Sequence, residues 1–224
     1  MTKVYLSGSE SINNEIIEFL SGKAEFTQNP EEAGIIFNTT NYPEYEKSEE
    51  LQYIESVTPD TIPIFTSSLC VSVSEQCRLQ AHPARLIGIG LYDTFSKAKR
   101  IEIAPSKITD AAILKNAENF LREAGVNYSI VPDKVGLIFP RIVSMIINEA
   151  AQVYSEQIAS KEDIDTAMKL GTNYPFGPLE WADRLGVELV YNILAALQRD
   201  FGEDRYRPHP LLKEMTNLNK RFYD

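Results

Sequence analysis

The chain has 224 residues, 22 Lys and Arg against 32 Asp and Glu, and a formal charge of −10; 43% of residues are apolar and 24% charged. This is ordinary globular composition, and an acidic chain with no run of four basic residues is a poor match to nucleic acid or an anionic membrane, so neither is expected as a partner. Two histidines, His82 and His209, and two cysteines, Cys70 and Cys77, cannot build a Cys/His zinc site, and no metal is expected.

In chain order, Lys3–Leu6 reads as a short strand that stops at Ser7-Gly8. The start is too briefly apolar for a secretory signal, and no stretch approaches the ~18 apolar residues of a membrane span. The two cysteines read as thiols of a reducing compartment, so a cytoplasmic location is expected. Ile12–Leu20 has helical apolar spacing, while Ile35–Phe37 and Ile62–Phe65 suit strands covered on both faces. Glu44–Ser56 between them is Glu-rich and predicts a solvated helix resting on Leu51 and Ile54. Arg85–Leu91 and Lys99–Ala104 are two more strands. Asp110–Ala124 is a helix ended by Gly125, and Tyr128–Val131 a last strand. Strands alternating with helices predict a largely parallel α/β sheet.

Beyond Gly136 the pattern is helical only. Ile142, Met145, Ile146, Ala150 and Val153 predict the buried face of a long helix with Pro140 in its first turn. Ser160 caps a second helix that Gly171 ends, Pro178–Leu185 forms a third stopped by Gly186, and Val190, Ile193, Leu194, Leu197 and Phe201 stripe a fourth. The expected organisation is an α/β domain over residues 1–132, reduced and Rossmann-like, and an all-α domain over residues 133–224.

Ser160–Gly171, Tyr174-Pro-Phe-Gly-Pro-Leu-Glu180, Asp204–Pro208 and Pro210–Leu212 occur in an order that resembles the C-terminal domain of 3-hydroxyacyl-CoA dehydrogenases. Thr66–Leu69 and Arg85–Gly88 resemble, more weakly, segments of the same family's first domain. The resemblance implies a Rossmann domain that binds NAD, a helical domain that dimerises, and hydride transfer between nicotinamide and the 3-hydroxyl carbon of an acyl-CoA.

The working positions that the resemblance implies are largely changed. The family's Gly-x-Gly-x-x-Gly turn is Gly8-Ser9-Glu10-Ser11-Ile12-Asn13, with Glu10 and Asn13 in place of two glycines. A carboxylate ~4 Å from a pyrophosphate costs about 4 kcal/mol at an effective dielectric near 20, roughly a thousandfold in affinity, unless Glu10 turns into solvent. Phe26–Asn29 ends the second strand without the acidic residue that would hold the ribose. Only Gln28–Gly34 stands where the family has a long helical hairpin, and the C-terminus, Lys220–Asp224, is shorter than the family's. The catalytic His of the resemblance falls on Gly90, while its partner Glu, twelve residues on, is kept as Glu102. The substrate-contacting Ser is kept as Ser67, and the corresponding Asn is Pro140. Taken without the resemblance, Ser67 reads as a turn or cap residue, Glu102 as a surface carboxylate near Lys97, Lys99 or Arg100, and both histidines as loop residues.

The expectation is therefore a catalytically inactive family member without NAD, acting as a homodimeric binding or scaffold protein. Its ligand would be an acyl-CoA-like small molecule or a related enzyme subunit. Ser67 and Glu102 would be the retained catalytic positions. The alternative is a working NAD-dependent oxidoreductase on a 3-hydroxyacyl-CoA or similar 3-hydroxy acid in fatty-acid metabolism, with Ser67 orienting the oxygen and Glu102 as base.

Overall fold

The computed structural model describes residues 1–98 and 100–223. Lys99 and Asp224, which belong to the expected sixth strand and C-terminal segment, lie outside them. The chain divides into two compact units, the first ending at Leu137 and the second beginning at Ile138.

The first unit is built on a sheet that, among the described residues, has seven strands: β1 Lys3–Ser7, β2 Glu25–Thr27, β3 Ile35–Asn38, β4 Ile64–Ser67, β5 Leu86–Ile89, β6 Ile101–Pro105 and β7 Tyr128–Ile130. Their order is β2-β1-β3-β4-β5-β6-β7, parallel throughout except where β6 runs against β5. Every residue of β3, β4 and β5 is buried, which is why these strands read as continuous apolar runs rather than alternating ones. Among the described residues four α-helices belong to this unit: α1 Glu10–Phe19, α2 Glu44–Val57, the single turn α3 Val73–Gln76, and α4 Ala111–Glu123. Asp110 caps α4 by accepting from the amides of Ala112 and Ile113, and Gly125 follows it at φ +66°.

Two expectations are corrected here. Helix α2 is largely exposed and rests on Leu51 and Ile54 as expected, but it also buries Lys47 and Glu55. The Glu55 carboxylate is drawn in by the amides of Ala81 and His82 at 2.9 and 3.1 Å, contacts from a distant loop that helical spacing does not reveal. Residues 133–137 belong to the first unit. The Asp133 carboxylate accepts from the amides of Val73 and Ser74, both at 2.8 Å, and Gly136 N–H donates to the Leu69 carbonyl.

The second unit holds α5 Phe139–Ser155, α6 Lys161–Thr172, α7 Pro178–Leu185, α8 Val187–Phe201 and α9 Pro210–Asn217. Gly171 does not end α6 as expected; it lies inside the helix, and Asn173, at φ +56°, makes the left-handed stop. The face of α5 is corrected in part. Ala150 turns inward as expected, but together with Val143, Ile147 and Ala151, whereas Ile142 is 53% exposed. Both sides of this helix are apolar, so period alone could not choose between them.

Asp165, 1% exposed, organises the unit. Its carboxylate accepts from the amides of Leu179 (2.8 Å) and Glu180 (2.9 Å) at the start of α7, and from the Tyr223 hydroxyl (2.8 Å). A Cβ on Gly177 would overlap Asp165, which explains the glycine of the Pro-Phe-Gly-Pro segment. Asp183 accepts from the amides of Phe222 and Tyr223, each at 2.8 Å, and holds the chain's end in place.

Among the described residues no helix is long and apolar enough to cross a membrane, and no cluster of His, Cys, Asp or Glu could hold a metal ion. Burial pushes the Cys77 thiol up to about 11.

Candidate functional site

In an open parallel sheet, ligands bind outside the carboxyl ends of the strands where the strand order reverses. That point lies between β1 and β3, so the residues of interest follow Ser7, Asn38, Ser67 and Ile89.

After β1 the chain turns at Gly8, at φ +96°, where a Cβ would come within 2.5 Å of both the amide and the hydroxyl of Thr40. Only glycine fits that turn. Ser9 then leads into α1 without a side-chain cap, and Glu10 stands exposed in the first helical turn. Its carboxylate is in solvent, so the like-charge penalty expected from the sequence is an upper bound here. Asn13 is anchored instead: its Oδ1 accepts from Thr39 Oγ1 at 2.8 Å, fixing the helix to the end of β3. Between Thr27 and Ile35 the chain makes one 3-10 turn, Pro30–Glu32, with no helical hairpin.

The segment after β5 is also tied down onto α1. Ser11 donates to Asp93 at 2.9 Å, and the Glu15 carboxylate accepts from the amides of Thr94 (2.8 Å) and Ser96 (2.9 Å) and from the Ser96 hydroxyl.

Gly90 and Glu102 come together, as the family resemblance implies. β5 and β6 form an antiparallel pair with Ile89 opposite Ile103, and Gly90 N–H donates to the Glu102 carbonyl at 3.0 Å. A Cβ on residue 90 would stand 4.0 Å from Glu102 Cβ and 3.1 Å from Leu137 Cδ1. Leu137, which is 4% exposed and sits at φ +50°, thus stands tightly against the position beside Glu102. Arg100, one expected neighbour of Glu102, donates instead to the Tyr128 carbonyl and Ser129 Oγ. Burial and the nearby Glu102 push the Tyr92 phenol well above its usual range, so it stays protonated.

Ser67 is neither a turn nor a cap residue. It is the buried last residue of β4, and its hydroxyl donates to Asn41 Oδ1, while Asn41 Nδ2 donates to the Leu91 carbonyl at 3.3 Å. Pro140 lies in the first turn of α5 in the other unit. His82 is an exposed residue before the 3-10 turn Pro83–Arg85. His209 is an N-cap rather than a plain loop residue: its Nδ1 accepts from Leu211 N–H at 3.2 Å at the start of α9.

Leu137 and Asn41 were not singled out in the sequence. Leu137 offered a usable signal, a residue after glycine at the domain junction. Asn41 offered none.

Residues 136–221 match the family model of the 3-hydroxyacyl-CoA dehydrogenase C-terminal domain. A 3-hydroxybutyryl-CoA dehydrogenase of Clostridioides difficile is 32% identical over 161 residues, 72% of this chain and 57% of that protein. A 3-hydroxyadipyl-CoA dehydrogenase of Escherichia coli is 38% identical over 124 residues, 55% of this chain but 26% of that protein. The chain therefore spans less than two thirds of these relatives. Among solved structures, Mycobacterium tuberculosis FadB2 superposes with a TM-score of 0.82 at 19% identity, covering 98% of this chain and 89% of that one, a likeness of fold.

Proposed function

The chain belongs to the 3-hydroxyacyl-CoA dehydrogenase family, and within it we propose a member that no longer carries out the dehydrogenation and serves as a homodimeric binding or scaffold protein. One observation carries the reading: the position beside Glu102 that the family's base would need is Gly90, where even a Cβ would come within 3.1 Å of Leu137. A missing general base costs on the order of 10²–10⁴ in rate, and no histidine of this chain stands at that strand.

On this reading NAD is not held in the family's usual manner. Asn13 is committed to Thr39, Glu10 adds negative charge at the turn, and the end of β2 has no acidic residue for a ribose. Ser67 and Glu102 persist as inherited positions, with the Ser67 hydroxyl turned to Asn41.

The partner is a second copy, engaged through the helical half. The outward apolar residues there, Ile142, Ile158 at 67% exposure and Leu170 at 82%, are costly to leave in water and suit such an interface. The remaining ligand is an acyl-CoA-like small molecule or a related enzyme subunit. The location that goes with this reading is the cytoplasm, a reducing compartment for the two cysteines.

Titrating the purified chain with NADH, followed by nucleotide fluorescence, tests the cofactor reading. No saturation below ~1 mM is expected, and micromolar binding contradicts it. Sedimentation at tens of micromolar tests the partner: a dimer is expected, and a monomer overturns that part.

A further inference from the structure

Lys47 lies in the first turn of α2, is 1% exposed, and belongs to none of the family positions named above. Its Nζ donates to Asn38 Oδ1 at 2.8 Å and to the Thr40 carbonyl at 2.9 Å, two neutral acceptors at the carboxyl end of β3. A neutral amine has two N–H groups, and these contacts use both. An ammonium has a third, which finds no acceptor among the described residues. Burying that N–H and its charge is unfavourable.

The titratable groups around Lys47 are Glu44 and Glu50 on its own helix, Glu75 on α3, and Cys70 after β4. Glu50 is turned to other partners: it accepts from Asn38 Nδ2 and from Thr40 Oγ1, the latter at 2.7 Å. Asn38 Nδ2 also donates to Ser7 Oγ at 3.1 Å, so Lys47 and Glu50 together bind the ends of β1 and β3 to α2. A cavity of about 20 Å³, room for one water, borders Lys47 between Glu44, Glu75 and the buried, partnerless amide of Gln80.

We propose that Lys47 is a proton-operated latch: neutral, it ties the start of α2 to the carboxyl end of β3, and on taking up a proton it releases that edge of the sheet. Burial holds the amine down to about 7, with Glu50 and Cys70 pulling the other way. Turned out into water it regains the ordinary lysine value of about 10.4. Between those values opening takes up one proton, so the closed edge is favoured by up to about tenfold more for each pH unit above 7 and levels off below it. The groups released are Ser7, Asn38 and Thr40, at the point where the strand order reverses. The latch therefore controls access to that crevice whether or not the chain is a dehydrogenase.

Hydrogen exchange of the amides of residues 40–51 in the full chain, corrected for intrinsic rates, tests this between pH 7 and 9.5. Protection is expected to rise with pH by up to about tenfold per unit, and to be flat in Lys47→Met. A flat profile in the unaltered chain, or an equal slope in the variant, overturns the proposal. A direct reading needs no variant: with lysine side chains isotopically labelled, the Lys47 Cε resonance is expected to titrate near pH 7, and titration near the ordinary lysine value of 10.5 overturns it.

Discussion

Gly90 N–H donates to the Glu102 carbonyl at 3.0 Å, so these two residues face each other across the β5–β6 pair with Leu137 standing tightly against residue 90. A histidine at 90 would have Glu102 as a neighbour, but it would also meet Leu137. Restoring the base is thus a packing problem as well as a chemical one.

Gly90→His is expected to lose about 1–3 kcal/mol of stability through overpacking against Leu137. Leu137→Ala alone is expected to cost about 2–5 kcal/mol as a cavity in a buried site. The double variant should be more stable than the two losses added together, by at least ~0.5 kcal/mol, because each change relieves the other. Urea denaturation of all four chains checks this, and strict additivity would show that Leu137 does not occupy the space in solution.

Two left-handed glycines separate backbone conformation from crowding. Gly125→Ala, with nothing within 4 Å of the added carbon, is expected to cost about 1–2 kcal/mol for its φ of +66° alone. Gly8→Ala adds contacts of 2.5 Å with Thr40 and is expected to cost at least twice as much, or to prevent folding. Equal losses in thermal unfolding would mean that the turn after β1 is looser than described.

Much of the fold was legible because its signals are local. The apolar runs of β3 and β4 marked buried strands, Asp110 and Gly125 bracketed α4, and Gly186 stopped α7. The correspondence of residue 90 with Glu102 came from the family resemblance, and the antiparallel β5–β6 register brings the two together. Features that depend on distant partners did not show. The inward face of α5, the burial of Glu55 by residues 81 and 82, and the bond from Ser67 to Asn41 each need a segment that only the fold brings near. Gly171 misled for a related reason: its backbone stays helical, and Asn173 adopts the left-handed conformation two residues later.

Asp165 is the buried carboxylate on which the second unit depends. Asp165→Ala leaves the amides of Leu179 and Glu180 without their acceptor and is expected to cost about 2–4 kcal/mol. Tyr223→Phe removes one hydroxyl from the same carboxylate and is expected to cost about 1 kcal/mol. Circular dichroism melts rank the two, and a larger loss for Tyr223→Phe contradicts this ordering.

Lys47 also sets a sign for global stability. Its amine is held down to about 7 when folded and returns to the ordinary lysine range when unfolded, so the unfolded chain binds the extra proton between pH 7 and ~10.4. Stability due to this group rises with pH across that window, by at most about 1.4 kcal/mol per unit, and is constant below it. The difference between the unaltered chain and Lys47→Met, measured by denaturant at pH 7 and 9, isolates the effect. A difference that falls with pH would reverse the assignment.

The claim that the family's reaction is lost meets its most direct test in acetoacetyl-CoA-dependent oxidation of NADH by the purified chain. The expected result is a rate indistinguishable from the enzyme-free reaction, unchanged in Glu102→Gln and Ser67→Ala. Turnover that saturates with both substrates and falls in either variant would contradict it.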